Sequence, residues 1–569
     1  MTTSAKPQCD ILVELLIKHG VHEAVISPGS RCTPLVIALS RNKTITNTVV
    51  IDERSAAFIA LGKASASAKP VVLVCTSGTA LLNYAPAVAE AYYRHIPLVV
   101  ISADRPHEWI DQDDSQTLRQ FEALEKYVKR SYDLADNCSC DKQQWYANRI
   151  INDALIMCSS AEPGPVHINM QFDNPLNQTC RFQPTRWNSR MIKAHTPCQN
   201  LSEEEIVEMA DTIVHAKKVL VIGGFHNPDK KLQESLETFA IQCPNVAIMC
   251  ETIANLPSNY FIHDIDATLS VLTDEALRLM SPDIVITFGG AIVSRMIKKF
   301  IRETTECTHW HIGETDITVD CFLHLERHIR MSASPVFRQL ALAIRNKTAE
   351  SITSDYAESW KTIAKEGRKI HSEIIDTAPW TTLKASDFIF SNIPSGWALQ
   401  LSNGTAIRYA QLFPALQVLR SDCNRGVSGI DGCTSTAIGA STVFSTTTVL
   451  VTGDMSSLYD LGAFAAPCIS PKFKTIVLCN GGGEIFHFID STRSLPESGM
   501  YMAVNDRNYP VDKIANIFGF KIFKATSLEE LQNVFPEFCN ETGSPAMMCV
   551  YTSGKKSAET LRRYFECKL

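Results

Sequence analysis

Asp454 and Asn480 are the residues whose setting most plainly suggests chemistry. The apolar run VLVT is followed by GDMSS (453–457) and the run KTIVL by CNGGGEIF (479–486). An acid and an amide therefore emerge from two strand ends 26 residues apart, enough for one crossover helix between parallel strands. Such oxygens suit Mg²⁺, which takes a few protein ligands and fills its octahedron with phosphate oxygens. Ser456 and Ser457 open the next helix, whose free backbone N–H groups can hold a phosphate. A glycine turn followed by a helix cap would explain either loop taken alone.

A second acid, Glu53, opens the stretch IDERSAAFIALGKA (51–64), in which Ala57, Ala60, Leu61 and Ala64 fall on one helical face. That face would let another backbone or a flat ligand come close. A helix N-terminus favours an acid through its dipole, which accounts for Glu53 without any chemistry. Arg31 in PGSRCTP and Arg105 in SADRP follow apolar runs, while Arg408 in SNGTAIR and Arg425 in NRGVSGIDG come from later loops. The rigid fork of arginine matches carboxylates, though any one of these could be a solvated surface charge.

The elements that must position these residues alternate along the chain. VHEAVIS, PVVLVCT, IPLVVISA and GPVHINM are short continuous apolar runs, as expected of strands buried on both faces, with helical patterns between them. KKVLVIGG, NVAIMCE and DIVITFGG repeat the style, as do TTVLVTGD, KTIVLCN and PAMMCVY. The expectation is an α/β protein of three doubly wound parallel-sheet units, at 1–185, 195–345 and 396–569. A polar linker lies at 177–200 and a charged helical connector at 346–395. The GG turns of the middle unit do not complete G-x-G-x-x-G and are explained by tight strand-to-helix turns.

Composition bounds the rest. A chain of 569 residues with 45% hydrophobic and 20% charged residues is an ordinary multidomain globular protein. Its formal net charge of -7 argues against nucleic acid or a membrane surface as partner, and no apolar stretch is long enough to span a bilayer. The opening MTTSAKPQCD lacks the regions of a secretory signal, so a cytoplasmic location is expected. The 19 cysteines form no CxxC pair, and CSC (Cys138, Cys140) has no second cluster to complete a zinc site. His309 and His311 of HWH, without a third ligand in view, read as a packed or surface pair.

The order GD, about 26 residues, then N resembles the thiamine-diphosphate-binding motif. Met455 stands where a glycine is usual, and Cys479 replaces the first of two asparagines. Enzymes of this kind pair a pyrophosphate-binding domain with a pyrimidine-binding domain in which a glutamate opens an Ala-rich helix. Glu53 resembles that glutamate, which bonds the pyrimidine N1′ and activates the coenzyme. The loops SPGSRCTPL, DERSAAFIALGKA, CTSGTALLNYAPAVAEA, ISADRP, NRGVSGIDGCTSTAIG and GDMSSLYDL narrow the likeness. They are similar to those of the 2-succinyl-5-enolpyruvyl-6-hydroxy-3-cyclohexene-1-carboxylate synthase family of menaquinone biosynthesis, through the first and third units but weakly over 195–345.

That resemblance implies a transferase that decarboxylates 2-oxoglutarate on thiamine diphosphate and adds the resulting carbanion to isochorismate, releasing CO₂. It implies Glu53 as the catalytic residue. Asp454, Asn480 and Gly482 would hold Mg²⁺ or Mn²⁺, and Ser428, Ile430 and Ser456 would complete the coenzyme site. It assigns Ser30, Arg31, Arg105, Gln116, Arg295, Arg408, Arg425 and Phe486 to substrate. Ser294 stands where the family often has a lysine, for which Lys298 or Lys299 could compensate. A homodimer or dimer of dimers is implied, with Glu53 reaching a coenzyme whose metal is held by another chain. The alternatives are another thiamine-diphosphate 2-oxoacid carboligase or decarboxylase, and a non-catalytic member that binds the coenzyme for structural or regulatory reasons.

Overall fold

The computed structural model describes residues 2–136, 138–182, 189–195, 200–345, 354–498 and 509–569. Residues 183–188 and 196–199 of the expected linker, and 346–353 of the expected connector, lie outside the described residues. Three parallel sheets form, as the apolar runs predict. The first has the order Thr46–Val49, Glu23–Ile26, Val71–Cys75, Leu98–Asp104, Val166–Gln171, Ser131–Leu134. The second runs Val246–Cys250, Val219–Gly223, Ile284–Phe288, Thr308–Ile312, Leu325–Ile329. The third runs Arg420–Cys423, Ala398–Leu401, Thr448–Gly453, Phe473–Cys479, Ala546–Tyr551, Lys521–Ala525. A small antiparallel pair, Thr2–Ser4 with Thr179–Arg181, ties the two ends of the first unit together.

The inner strands are covered on both faces, which is why they read as unbroken apolar runs, whereas edge strands such as Thr46–Val49, Leu325–Ile329 and Lys521–Ala525 are partly exposed and carry no such run. In the first sheet Val71, Leu73, Leu98 and Val100 enter one core, while their neighbours Val72, Val74, Val99 and Ile101 enter another. The core holding Val71 and Leu73 also takes Leu450, Phe473 and Val477 from the third sheet, so the first and third units share apolar packing. Their closest meeting is the helix Glu53–Ser67 against the helix Cys433–Ser441. A Cβ on Gly62 would lie 2.0 Å from the Thr436 carbonyl oxygen, and one on Gly439 would lie 2.1 Å from that of Ile59. The close backbone approach runs along Ile59 and Gly62, on the side of the helix away from the Ala57, Ala60, Leu61 and Ala64 face noted in the sequence.

The helix Tyr356–Thr377 within the expected connector also packs, burying Tyr356, Trp360 and Ala364 with Leu220, Ile222 and Met249 of the second sheet. His309 and His311 are a buried pair sharing one hydroxyl: Thr287 Oγ1 lies 2.8 Å from His309 Nε2 and 2.9 Å from His311 Nδ1. Burial pushes both imidazoles down to about 4, so they are neutral at physiological pH.

Candidate active site

The strands Thr448–Gly453 and Phe473–Cys479 lie side by side, with Gly453 paired to Leu478. Asp454 and Asn480 thus leave the same sheet end from adjacent strands, where ligands collect in open α/β sheets. Asp454 is buried; Oδ1 accepts the Met455 N–H at 2.8 Å and Oδ2 the Gly481 N–H at 3.0 Å. Burial pushes its carboxyl above the usual range, against those N–H donors. Asn480 Oδ1 accepts the Gly482 N–H at 3.1 Å, and its Nδ2 donates to Glu484 Oε2 at 2.5 Å.

Gly481, Gly482 and Gly483 all hold positive φ, at 86°, 81° and 65°, a run that residues with a Cβ would not sustain. Ser456 Oγ donates to the Ile430 carbonyl at 2.6 Å, joining this loop to the one carrying Ser428 and Ile430. Ser428 itself is a non-glycine residue at φ 62°. Among the described residues Ser457 Oγ is buried without a partner, and a Cβ on Gly453 would meet nothing within 4 Å. Oxygen ligands, an unsatisfied hydroxyl and open space beside the acid fit a divalent cation carrying a diphosphate.

Glu53 is the first residue of its helix, but Asp52 performs the capping, accepting the N–H groups of Arg54 and Ser55 at 3.0 and 3.3 Å. Asp52 is thus the cap, and Glu53 lies in the first turn, where the helix dipole favours an acid. The side chain is half-buried beside Cys75 and Tyr84, whose pKa values its charge helps to raise. Among the described residues its carboxylate has no hydrogen bond or ion pair, and none joins it to Asp454 or Asn480.

The substrate residues proposed from sequence fall into two groups. At the carboxyl end of the first sheet, Arg31 is buried, its Nη1 donating to the Phe172 carbonyl at 2.8 Å and its N–H to Thr76 Oγ1 at 3.2 Å. Burial, then the charge of Arg105, lowers its pKa, so the two guanidiniums face one another's field. Arg105 pairs with Asp114. Gln116 holds φ 58° and donates Nε2 to the Ser77 carbonyl at 3.1 Å, while Ser30 is exposed on the turn before Arg31. Gly29 allows that turn: a Cβ there would lie 2.3 Å from Thr76 Cβ.

The second group joins the middle and third units. Arg295, the first residue of the helix Arg295–Arg302, and Arg408 in the helix Thr405–Ala410 line one cavity of about 230 Å³ with Asp266, Thr405, Ile485 and Phe488. Neither guanidinium has a hydrogen bond or ion pair among the described residues. Burial, then Arg295 and then Arg425, lowers the pKa of Arg408, partly opposed by the charges of Asp266 and Glu251. Arg425 Nη1 donates to Asn403 Oδ1 at 3.0 Å, and this arginine faces a larger crevice of about 620 Å³. Phe486 does not line the Arg295–Arg408 cavity; its neighbours Ile485 and Phe488 do.

Neither lysine considered as a substitute for Ser294 reaches that cavity. Lys298 Nζ donates to the Ile292 carbonyl at 2.6 Å and lines the larger crevice, while Lys299 lies at the surface 3.8 Å from Glu303. Three buried acids near these groups escaped the reading of the sequence. Glu90 accepts the N–H groups of Gly426 and Val427, both at 2.8 Å, next to Arg425. Glu251 takes those of Val293 and Ser294, next to Arg295. Glu484 receives Tyr409, Thr382 and Asn480 together. The one signal available was that Glu251 ends the buried run NVAIMC, where a carboxylate needs partners.

Residues 9–123 match the family described as thiamine pyrophosphate enzyme, N-terminal TPP binding domain. Over 567 residues the chain is 38% identical to the 2-succinyl-5-enolpyruvyl-6-hydroxy-3-cyclohexene-1-carboxylate synthase of Porphyromonas gingivalis, covering 99% of this chain and 97% of the relative. It is 34% identical to the synthase of the same name from Flavobacterium johnsoniae, covering 98% of both chains, and 36% identical to that of Christiangramia forsetii, covering 99% of both.

Proposed function

The chain belongs to the 2-succinyl-5-enolpyruvyl-6-hydroxy-3-cyclohexene-1-carboxylate synthase family, and on that premise we propose that it is the thiamine-diphosphate-dependent transferase joining 2-oxoglutarate, after loss of CO₂, to isochorismate in menaquinone biosynthesis. The observation that carries this reading is the meeting of Arg295 and Arg408 across one cavity, where among the described residues neither guanidinium hydrogen-bonds a carboxylate, though Asp266 lines the same cavity. A pair of guanidiniums so placed suits a substrate that brings its own carboxylates, as both substrates do.

Thiamine diphosphate, when bound, supplies the electron sink that amino-acid side chains lack. Asp454, the Asn480 amide oxygen and the Gly482 carbonyl would hold Mg²⁺ or Mn²⁺, and Ser456 with the Ser428–Ile430 loop would hold the coenzyme around it. Ile430 would brace the coenzyme, and Glu53 would share a proton with the aminopyrimidine N1′ atom. Arg31, Arg105, Gln116 and Ser30 would receive one acidic substrate from the first unit, and Arg295, Arg408, Arg425 and Phe486 would receive charge or apolar surface from the other side. Two copies of the chain would complete each site, as a homodimer or a dimer of dimers. Among the described residues, no hydrogen bond or ion pair joins Glu53 to the Asp454–Asn480 loops within one chain, as this reading requires. A cytoplasmic location is supported by free thiols at every described cysteine and by the lack, among the described residues, of a helix long and apolar enough to cross a membrane.

The test is direct. Purified protein with Mg²⁺ and thiamine diphosphate is expected to form a carbon–carbon product from 2-oxoglutarate and isochorismate, and none from pyruvate alone. Product only from pyruvate would overturn the reading in favour of another 2-oxoacid carboligase or decarboxylase.

A further inference from the structure

We infer that Glu251 and Asp266 are positioning residues that aim Arg295 into the cavity it shares with Arg408. This rests on the reading of Arg295 as a substrate-carboxylate ligand. Glu251 is 1% exposed at the end of the strand Val246–Cys250. Its two carboxylate oxygens take the Val293 N–H at 2.9 and 2.7 Å and the Ser294 N–H at 2.7 Å. Asp266 accepts the Ser294 hydroxyl, while Ser294 Oγ accepts the Ile297 N–H at 3.0 Å and so caps the helix that Arg295 begins. Two carboxylates thus grip one residue, through its backbone and through its side chain, and Arg295 is the next residue along.

The arrangement is costly unless it does something. A carboxylate buried as deeply as Glu251 loses its hydration, and burial pushes it up to about 7. Among the described residues no ion pair offsets that cost, and Lys298 contributes only a weaker attraction. The two acids do offset the other side of the cavity: the charges of Asp266 and Glu251 oppose the repulsion that Arg295 and Arg425 exert on Arg408. They hold one cation in place and make the gathering of three tolerable, without occupying either guanidinium of the cavity. This also explains Ser294, since only a short hydroxyl side chain can cap the helix and reach Asp266 at once. A lysine at this position has no acceptor for the Ile297 N–H and would forfeit the cap.

The experiment is a double-mutant cycle on the holoenzyme, with KM for 2-oxoglutarate and for isochorismate, kcat, and Mg²⁺–thiamine diphosphate affinity measured for each variant. Arg295→Ala is expected to raise one substrate's KM about tenfold, which identifies the ligand of the cavity. Glu251→Gln is expected to raise the same KM by a similar factor, to change kcat by less than about threefold, and to leave coenzyme affinity unaltered. In the Arg295→Ala background, Glu251→Gln should add nothing. An equal further rise there, or a joint loss of kcat, both KM values and coenzyme affinity, would overturn the inference by showing that Glu251 acts otherwise. No KM change in Arg295→Ala would instead defeat the reading of Arg295 itself. Should Glu251→Gln fail to fold, Ser294→Ala read in the same way decides: it should raise the same KM, and an unchanged KM overturns the proposal.

Discussion

Glu53 carries the chemical reading at the scale of single residues. Asp52 already accepts the Arg54 and Ser55 N–H groups, and among the described residues the Glu53 carboxylate has no hydrogen bond or ion pair, which leaves it free to meet a ligand. Glu53→Gln keeps size and polarity while removing the exchangeable acid proton, so coenzyme and Mg²⁺ affinity should persist while kcat falls by about 10² to 10⁴. Turnover and coenzyme titration on the same preparation check this, and an unchanged kcat would remove Glu53 from the mechanism. Glu53, Asp454 and Asn480 were legible in the sequence because each sits at a signal that sequence displays: the end of an apolar run, a glycine turn, a small-residue helix. Glu90, Glu251 and Glu484 were not. Their roles come from N–H groups and hydroxyls far along the chain, and no local pattern records that an acid will be enclosed by them. Ser294 shows the same limit: in sequence it is a missing base, in space a cap held by two acids.

Elements carry the next layer, and here acids bind one element to another. Asp460 follows the helix Asp454–Tyr459 and accepts the Ser435 N–H at 2.6 Å and the Ser435 hydroxyl at 2.7 Å, pinning the first turn of the helix Cys433–Ser441. That turn must be fixed, because the same helix meets the Glu53 helix across Gly62 and Gly439 with no room for a methyl group. Burial outweighs the two hydrogen bonds and pushes Asp460 from 3.8 to about 6. The folded state therefore holds this proton more tightly than the unfolded state does. As pH rises through the window between those two values, the folded chain is the one still carrying the proton, and stability falls, by at most about 3 kcal/mol from this group. Asp460→Asn never ionises. The apparent Tm of the variant minus that of the wild type should grow more positive from about pH 4 to about pH 7, whatever its value at the acid end. Calorimetric scans across that range check it, and a constant difference would mean that Asp460 ionises as easily folded as unfolded. The inner strands of the three sheets could be read from continuous apolar runs, whereas polar edge strands such as Ser131–Leu134 and Arg420–Cys423, and the packing of the Tyr356–Thr377 helix, could not. Its buried face is sparse and its charged residues dominate the pattern.

For the whole molecule the question is which chains share a site. The Asp454 and Asn480 loops and Glu53 lie in units that share a core within one chain, yet among the described residues no hydrogen bond or ion pair connects them. Closed two-fold assembly gives each subunit the same surface and lets one chain's first unit face its partner's third. The arrangement has a consequence that inactive variants can expose. Glu53→Gln and Asp454→Ala are each expected to be inactive alone, the first for want of the acid, the second for want of the metal ligand. In a hybrid dimer, the site that draws Glu53 from the Asp454→Ala chain and Asp454 from the Glu53→Gln chain is intact, while the other site carries both lesions. Random exchange of equal amounts makes half the dimers hybrid with one working site in two, so about a quarter of wild-type activity should return after subunit exchange. Co-expression with two affinity tags, followed by assay of the doubly tagged fraction, measures this directly. If Glu53 and Asp454 serve the same site from one chain, every hybrid site carries at least one lesion and the mixture stays inactive.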